Sequence, residues 1–156
     1  MFTTNEILDI AIRLEKNGEA IYRQAIEKAA NPELEAMLRW MADEEVRHAQ
    51  WFSDLKGIAQ KQADDLLSEK ISPDLLGNVI GEQSFSLADI DFDNIEQLAE
   101  LLDVFIEFEN DGILFYEMLL PFLRNEKTRQ LLEKIITEEK QHVKTLREQI
   151  IALTAT

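Results

Sequence analysis

Apolar residues recur along this chain at helical spacing, and the strict alternation of a half-buried strand is almost absent. The first run opens at TTNE, where Thr3 and Glu6 have the spacing of a capping box. Ile7, Leu8, Ala11, Leu14, Gly18, Ile21, Tyr22 and Ala25 then form one stripe, which fades near Ala30. Asn31 and Pro32 interrupt it, and Pro32 suits the first position of a new helix. That second helix carries Leu34, Met37, Leu38, Met41, Glu45, His48, Phe52 and Leu55 on one side. From about Gly57 to Asp93 the pattern weakens and glycines gather, which predicts a long connection with one short helix starting at Ser72 and Pro73. A third helix is expected from about Asn94 to Leu120, stopped by Pro121. A fourth runs from about Asn125 to Leu153, with Leu132, Ile135, Ile136, Val143, Leu146 and Ile150 inward.

Two short turns and one long connection predict two antiparallel helical hairpins. The crossover of ~35 residues is long enough to return along a helix of ~40 Å, at 1.5 Å per helical residue. The expected fold is all-α, the one-crossover form of the four-helix bundle. It is read as a single domain over residues 1–156, with halves at about 1–56 and 94–153 and the crossover at about 57–93.

The halves repeat one another. Glu45 and His48 map onto Glu139 and His142 at a shift of 94 residues. The same shift carries Glu15 onto Glu109, Gly18 onto Gly112 and Tyr22 onto Tyr116, so EKNGEAIY in the first helix matches ENDGILFY in the third. Leu38 and Glu44 map onto Leu132 and Glu138. Both histidines of the chain thus follow a glutamate by three residues. With glutamate at 20 of 156 positions, luck accounts poorly for that pattern plus the paired Glu, Gly and Tyr. The halves are copies of one hairpin. Kinship alone does not establish chemistry.

Spacing does bear on chemistry. Residues three apart on a helix lie one turn apart on the same face. Glu45 and His48 share a face with Met41 and Phe52, and Glu139 and His142 share one with Ile135 and Leu146. Glu15 lies on the stripe of Leu8, Ala11, Gly18 and Tyr22, and Glu109 on that of Leu102, Phe105, Gly112 and Tyr116. Four carboxylates and two imidazoles therefore face an apolar core. Desolvation and mutual repulsion would protonate some of those carboxylates unless cations balanced them. Two divalent ions would balance four charges. A carboxylate-rich site with one nitrogen per metal suits iron or manganese better than structural zinc. Glu from two helices and Glu-x-x-His from the other two is the arrangement of di-iron and di-manganese carboxylate bundles. Glu44, Glu138, Glu19 and Glu107 read as solvated or as groups standing behind the ligands, and Tyr22 and Tyr116 as core tyrosines or redox groups. Gly18 and Gly112 serve either close helix packing or room for a small oxidant.

Composition narrows the field. The net charge of −15 repels polyanions, so nucleic acid and anionic membranes are poor partners. There is no cysteine, which excludes thiolate metal sites, disulfides and cysteine nucleophiles. Neither a secretory signal nor a membrane span of roughly 20 apolar residues is legible, and a cytoplasmic protein is expected.

Through LEKNGEAIY, ADEEVRH, FENDGILFY and TEEKQH the chain resembles the rubrerythrin branch of the ferritin-like di-iron proteins over nearly its whole length. The resemblance implies six metal ligands, at Glu15, Glu45, His48, Glu109, Glu139 and His142, with Glu45 and Glu139 bridging two iron ions (manganese being the alternative). It implies oxidation of Fe(II) by peroxide or dioxygen, with Glu45, Glu139, Tyr22 and Tyr116 as the catalytic candidates. Two departures stand out. Two-domain rubrerythrins carry a four-cysteine rubredoxin-like domain, which this chain lacks, so an external donor such as a rubredoxin-type protein is expected. They also carry a seventh ligand glutamate one turn after that of the third helix, where this chain has Gly112. A homo-oligomer, a dimer, is expected. The competing readings are an iron-storage or iron-binding subunit, an oxygenase acting on an organic substrate, and a bundle with a relic site.

Overall fold

The computed structural model describes residues 3–29, 31–62 and 91–155. Four long helices dominate: α1 (Thr4–Lys28), α2 (Pro32–Gln62), α3 (Ile95–Leu119) and α4 (Glu126–Thr154). A 3-10 turn at Leu120–Phe122 follows α3, with Pro121 inside it. The all-helical four-helix bundle expected from the pattern is the fold observed.

The helix starts are chemical. Thr3 and Glu6 form the reciprocal capping box of α1: the Glu6 N–H donates to Thr3 Oγ1 at 3.2 Å, and the Thr3 N–H donates to Glu6 Oε2 at 3.0 Å. Asn31 Oδ1 accepts the N–H groups of Glu33 and Leu34, at 2.8 and 3.3 Å, ahead of Pro32. Asn94 Oδ1 accepts from Gln97 N, at 3.2 Å, and Asn125 Oδ1 from Thr128 N, at 3.1 Å. Each side chain occupies a donor that the first helical turn leaves without an internal partner.

One boundary moves. The second helix does not end near residue 56 but continues to Gln62, through Gly57. A mid-helix glycine costs only about 1 kcal/mol relative to alanine, too little to stop a helix of this length. The remainder of the crossover, including the short helix expected at Ser72 and Pro73, lies outside the described residues.

α1 packs along α2, and α3 along α4. Leu8, Ala11, Met41, Phe52, Phe105, Phe115, Leu132 and Leu146 belong to one continuous apolar cluster fed by all four helices. Full burial of a Phe, Leu or Met contributes roughly 1.5–3 kcal/mol, which offsets the cost of placing charged groups at the centre. The seam between the hairpins is closed by side chains rather than by close backbone approach. There Tyr22 meets Phe105 edge-on, with ring centroids 5.1 Å apart, and Phe52 meets Tyr116 at 5.2 Å. The polar cluster lies in that seam.

Candidate metal centre

Seven polar or charged side chains are buried among the described residues. Thr128, in the first turn of α4, is one; the others are Glu15, Glu45, His48, Glu109, Glu139 and His142. The structure brings all six together. Each helix delivers its share because Glu15, Glu45, Glu109 and Glu139 sit mid-helix on the apolar face, and each histidine follows one turn on.

The imidazoles reach across the seam. His48 Nδ1 lies 2.7 Å from Glu139 and 3.6 Å from Glu15, and His142 Nδ1 lies 3.3 Å from Glu45 and 3.4 Å from Glu109. Two overlapping groups result. Glu15, Glu45, His48 and Glu139 offer ligand atoms within 4.8 Å of one another, and so do Glu45, Glu109, Glu139 and His142. Glu45 and Glu139 belong to both. The tyrosines cross the seam as well: the Tyr116 hydroxyl donates to Glu15 Oε1 at 2.6 Å, and the Tyr22 hydroxyl donates to Glu109 Oε1. Burial and the surrounding carboxylates push both phenols well above their ordinary range, so each stays protonated as a donor.

Without cations the cluster divides its protons unevenly. Burial and repulsion from Glu109, Glu139 and Glu15 push Glu45 well above the usual carboxylate range. Burial, with Glu109 and Glu15 beside it, does the same to Glu139. Burial also opposes ionisation of Glu109, but hydrogen bonds with Glu139, His142 and Tyr22 outweigh it and hold this carboxyl at about 2. Glu15 is likewise lowered against its burial, by Glu45, His48 and Tyr116. Burial disfavours charge on both imidazoles, yet the carboxylates prevail: Glu139 and Glu15 raise His48 to about 11, and Glu109 and Glu139 raise His142 to about 10. Protons thus gather on Glu45, Glu139 and the imidazoles, and negative charge on Glu15 and Glu109.

A divalent cation pair fits this donor set. Glu15 Oε2, Glu45 Oε1 and Glu139 Oε2 are buried with no hydrogen-bond partner, so oxygen lone pairs inside the cluster are left for a cation. Hard oxygen donors with one imidazole per position match iron or manganese.

The glycines separate. A Cβ on Gly18 would lie 3.1 Å from Phe108 and 3.3 Å from Glu45 Oε2, so close packing is its role. A Cβ on Gly112 would meet nothing within 4 Å. Gly112 instead borders a small cavity against Leu14, Phe108 and Tyr116, which opens onto Glu15, Glu45, Glu109 and Glu139. Its space for the centre of a water-sized molecule is about 10 Å³, room for a single water or its like.

A family model for rubrerythrin matches residues 6–150. The chain belongs to the rubrerythrin family. Among solved structures it is similar to a candidate ferritin-like diiron-carboxylate protein of Thermotoga maritima, at 27% identity and a TM-score of 0.70, covering 99% of this chain and 97% of that one. A hypothetical protein of Pyrococcus furiosus shares the fold at 21% identity and a TM-score of 0.76, covering 97% of this chain and 90% of the other. No curated protein matches significantly. Among the described residues of this rubrerythrin-family chain, no helix is long and apolar enough to cross a membrane.

One residue near the centre had two readings from sequence, and the structure decides between them. Glu138, expected either as solvated or as a group behind the ligands, takes the second place: it accepts from His48 Nε2 at 2.8 Å and also pairs with Arg47. It neighbours Glu139, and the 100° turn between them aims it at α2 rather than at the core stripe. Its place opposite Glu44 in the repeat was the available signal. Glu19 pairs with Arg23 at 3.2 Å, and Glu107 is exposed, as expected of surface groups.

Proposed function

We propose that this rubrerythrin-family chain is a di-iron oxidoreductase of the peroxidase or ferroxidase type, acting in oxidative-stress defence or iron handling in the cytoplasm. The observation that carries the reading is the sharing of Glu45 and Glu139 between two four-residue ligand groups. Glu15, Glu45, His48 and Glu139 would hold one ion, and Glu45, Glu109, Glu139 and His142 the other. A bound pair of Fe(II) ions supplies two electrons, the number that one peroxide takes up.

The protein's own part is positional. Tyr116 and Tyr22 hold Glu15 and Glu109 by hydroxyl donation, each across the seam from its own hairpin. Leu14 and Phe108 wall the cavity at Gly112 and limit it to a molecule of about the size of water. That limit favours a small oxidant over an organic substrate. Without cysteine the chain holds no thiolate electron relay, so continued turnover needs an external donor such as a rubredoxin-type protein.

The test is anaerobic Fe(II) loading, metal counting, and rapid mixing with peroxide or dioxygen. Two irons per chain are expected, with consumption of about one peroxide per pair and then arrest until a reductant is added. A chain that binds no iron, or oxidises it no faster than buffer does, overturns the proposal. Closed-cage assembly with accumulation of many irons per chain would favour the storage reading instead.

A further inference from the structure

The 94-residue repeat matches the six candidate ligands and the Glu44–Glu138 pair, but not all the residues around them. Arg47 corresponds to Gln141, and Trp40 to Lys134. The structure gives this mismatch a consequence at the outer nitrogens of the two histidines.

His48 Nε2 donates to Glu138 Oε2 at 2.8 Å. Arg47 holds that carboxylate from the other side, and the same guanidinium contacts Glu44 at 2.5 Å. Glu44 is the counterpart of Glu138 in the repeat, and symmetry would have it serve His142. Arg47 engages it instead. His142 Nε2 is buried with no hydrogen-bond partner, and beside that ring stands Trp40, edge-on with centroids 5.1 Å apart. Gln141 carries no charge with which to hold a carboxylate as Arg47 does.

We propose that Glu138, held by Arg47, is a positioning residue for His48, and that it makes the two metal positions unequal, the Glu15–His48 position filling first. The inference rests on the metal-centre reading above. Its physical basis is the hydrogen bond on the far side of the ring. An imidazole that donates Nε2–H to a carboxylate keeps its proton there, holds its ring plane fixed and presents a more basic Nδ1 to a metal. His142 must keep the same proton on a buried nitrogen that has no acceptor, and the desolvation of that N–H goes uncompensated. One arginine thus secures Glu138 on one histidine and withholds Glu44 from the other.

Co(II) titration of the whole chain, followed by calorimetry and by proton NMR of the hyperfine-shifted ring N–H signals, tests this without reference to turnover. The wild type should bind in two steps. The first ion should reveal a slowly exchanging ring N–H whose exchange depends on Glu138, and the second a ring N–H whose exchange does not. Glu138→Ala should weaken the first step about 10–100-fold, the usual effect of removing such an outer partner, and should speed exchange of its N–H. Glu138→Gln keeps an acceptor and should recover part of the affinity and the slow exchange. Glu44→Gln should leave the first step unchanged, and Arg47→Gln should narrow the gap between the steps. Equal affinities in the wild type, or equal weakening of both steps by Glu138→Ala, would overturn the inference while leaving a dinuclear site. A wild-type chain that binds no Co(II) would overturn the metal-centre reading itself.

Discussion

The two hairpins carry the same ligands but differ around them, and Gly18 and Gly112 show the difference most plainly. Gly18 on α1 sits against Phe108 and Glu45, where even a methyl group is crowded. Gly112 on α3, its partner in the repeat, faces open space at the mouth of a small cavity. The same residue type thus does opposite jobs: one lets two helices close over the cluster, and the other leaves a way in. Repetition supplied the inward-facing donors twice, while access and outer hydrogen bonding were settled separately in each half.

The largest effects should come from residues both hairpins use. Glu45 and Glu139 each belong to both ligand groups, whereas Glu15 and Glu109 each belong to one. Glu45→Ala or Glu139→Ala should therefore abolish the metal pair, and Glu15→Ala or Glu109→Ala should leave about one ion per chain. Metal analysis after anaerobic Fe(II) loading distinguishes these outcomes. Identical metal contents in all four variants would contradict the shared-ligand arrangement.

Protons come next, and each hairpin contributes alike. His48 from the first and His142 from the second are held protonated at neutral pH when no metal is present, and burial with mutual repulsion favours the protonated forms of Glu45 and Glu139. Uptake of two divalent ions should release protons, about two per chain from the imidazoles and the rest from Glu45 and Glu139, because metal ligands must be deprotonated. Calorimetry in buffers of differing ionisation enthalpy measures that number.

The sign for stability follows from the same groups. Glu45 and Glu139 are raised from 4.5, so their stabilisation of the metal-free fold is complete below that value and is lost as pH rises. His48 and His142, raised from 6.5 to about 11 and about 10, stabilise fully below 6.5 and lose this as pH climbs through their folded values. Glu109, lowered from 4.5 to about 2, stabilises above 4.5 and loses this only as pH falls through about 2. The metal-free chain should therefore melt higher at about pH 5 than at about pH 8. Stabilisation by saturating Fe(II) should grow over the same interval, since a ligand bound only to the folded state stabilises by mass action. Equal melting temperatures with and without Fe(II) at the higher pH would count against a buried dinuclear site.

The glycines allow a sharper contrast. Gly112→Ala should stabilise by roughly 0.5–1 kcal/mol, the ordinary gain from removing a mid-helix glycine where there is room. Gly18→Ala should instead destabilise by about 1–3 kcal/mol, as overpacking does, and should weaken metal binding by displacing Glu45. Gly112→Glu adds an oxygen donor one turn from Glu109 on the same face and should change the spectrum of the loaded centre. Chemical denaturation and metal-site absorption check all three. Similar stabilities for the two alanine variants would erase the distinction between the hairpins.

Which parts of this were legible in the sequence depends on what each residue answers to. The six buried donors could be read because helical spacing fixes the face on which a residue lies, and because the chain has two histidines in one repeated setting. Thr3, Pro32, Asn94 and Asn125 marked their helix starts closely because capping is local chemistry. The end of α2 was not legible: Gly57 resembles a stop, but its cost is small against a continuing helix. Gly18 and Gly112 could not be told apart, because the decisive neighbour Phe108 approaches only Gly18 and comes from another helix. Glu138 was left between solvent and a place behind the ligands for a related reason. It stands at the border of the inward stripe, where the neighbouring helix decides whether a side chain is solvent's or the site's.

The smallest effects should arise where the hairpins agree but the metals are not involved. Asn31 and Asn125 are related by the same 94-residue shift, and each caps the helix that carries a Glu-x-x-His pair. Asn31 Oδ1 accepts two backbone N–H groups, while Pro32 removes one donor that would otherwise need a partner. Asn125 Oδ1 accepts from Thr128 N, and Thr128 is itself buried. Replacing either asparagine with alanine should cost about 0.5–2 kcal/mol, the usual loss for a cap of this kind. A change of 1 kcal/mol moves the melting temperature of a domain of this size by roughly 2–4 °C. Neither cap is among the six buried donors, so both variants should still load two metals while melting a few degrees lower. Melting curves and metal counts on the same samples decide it: a cap variant that loses metal in proportion to stability would tie the centre to the helix ends rather than to the seam.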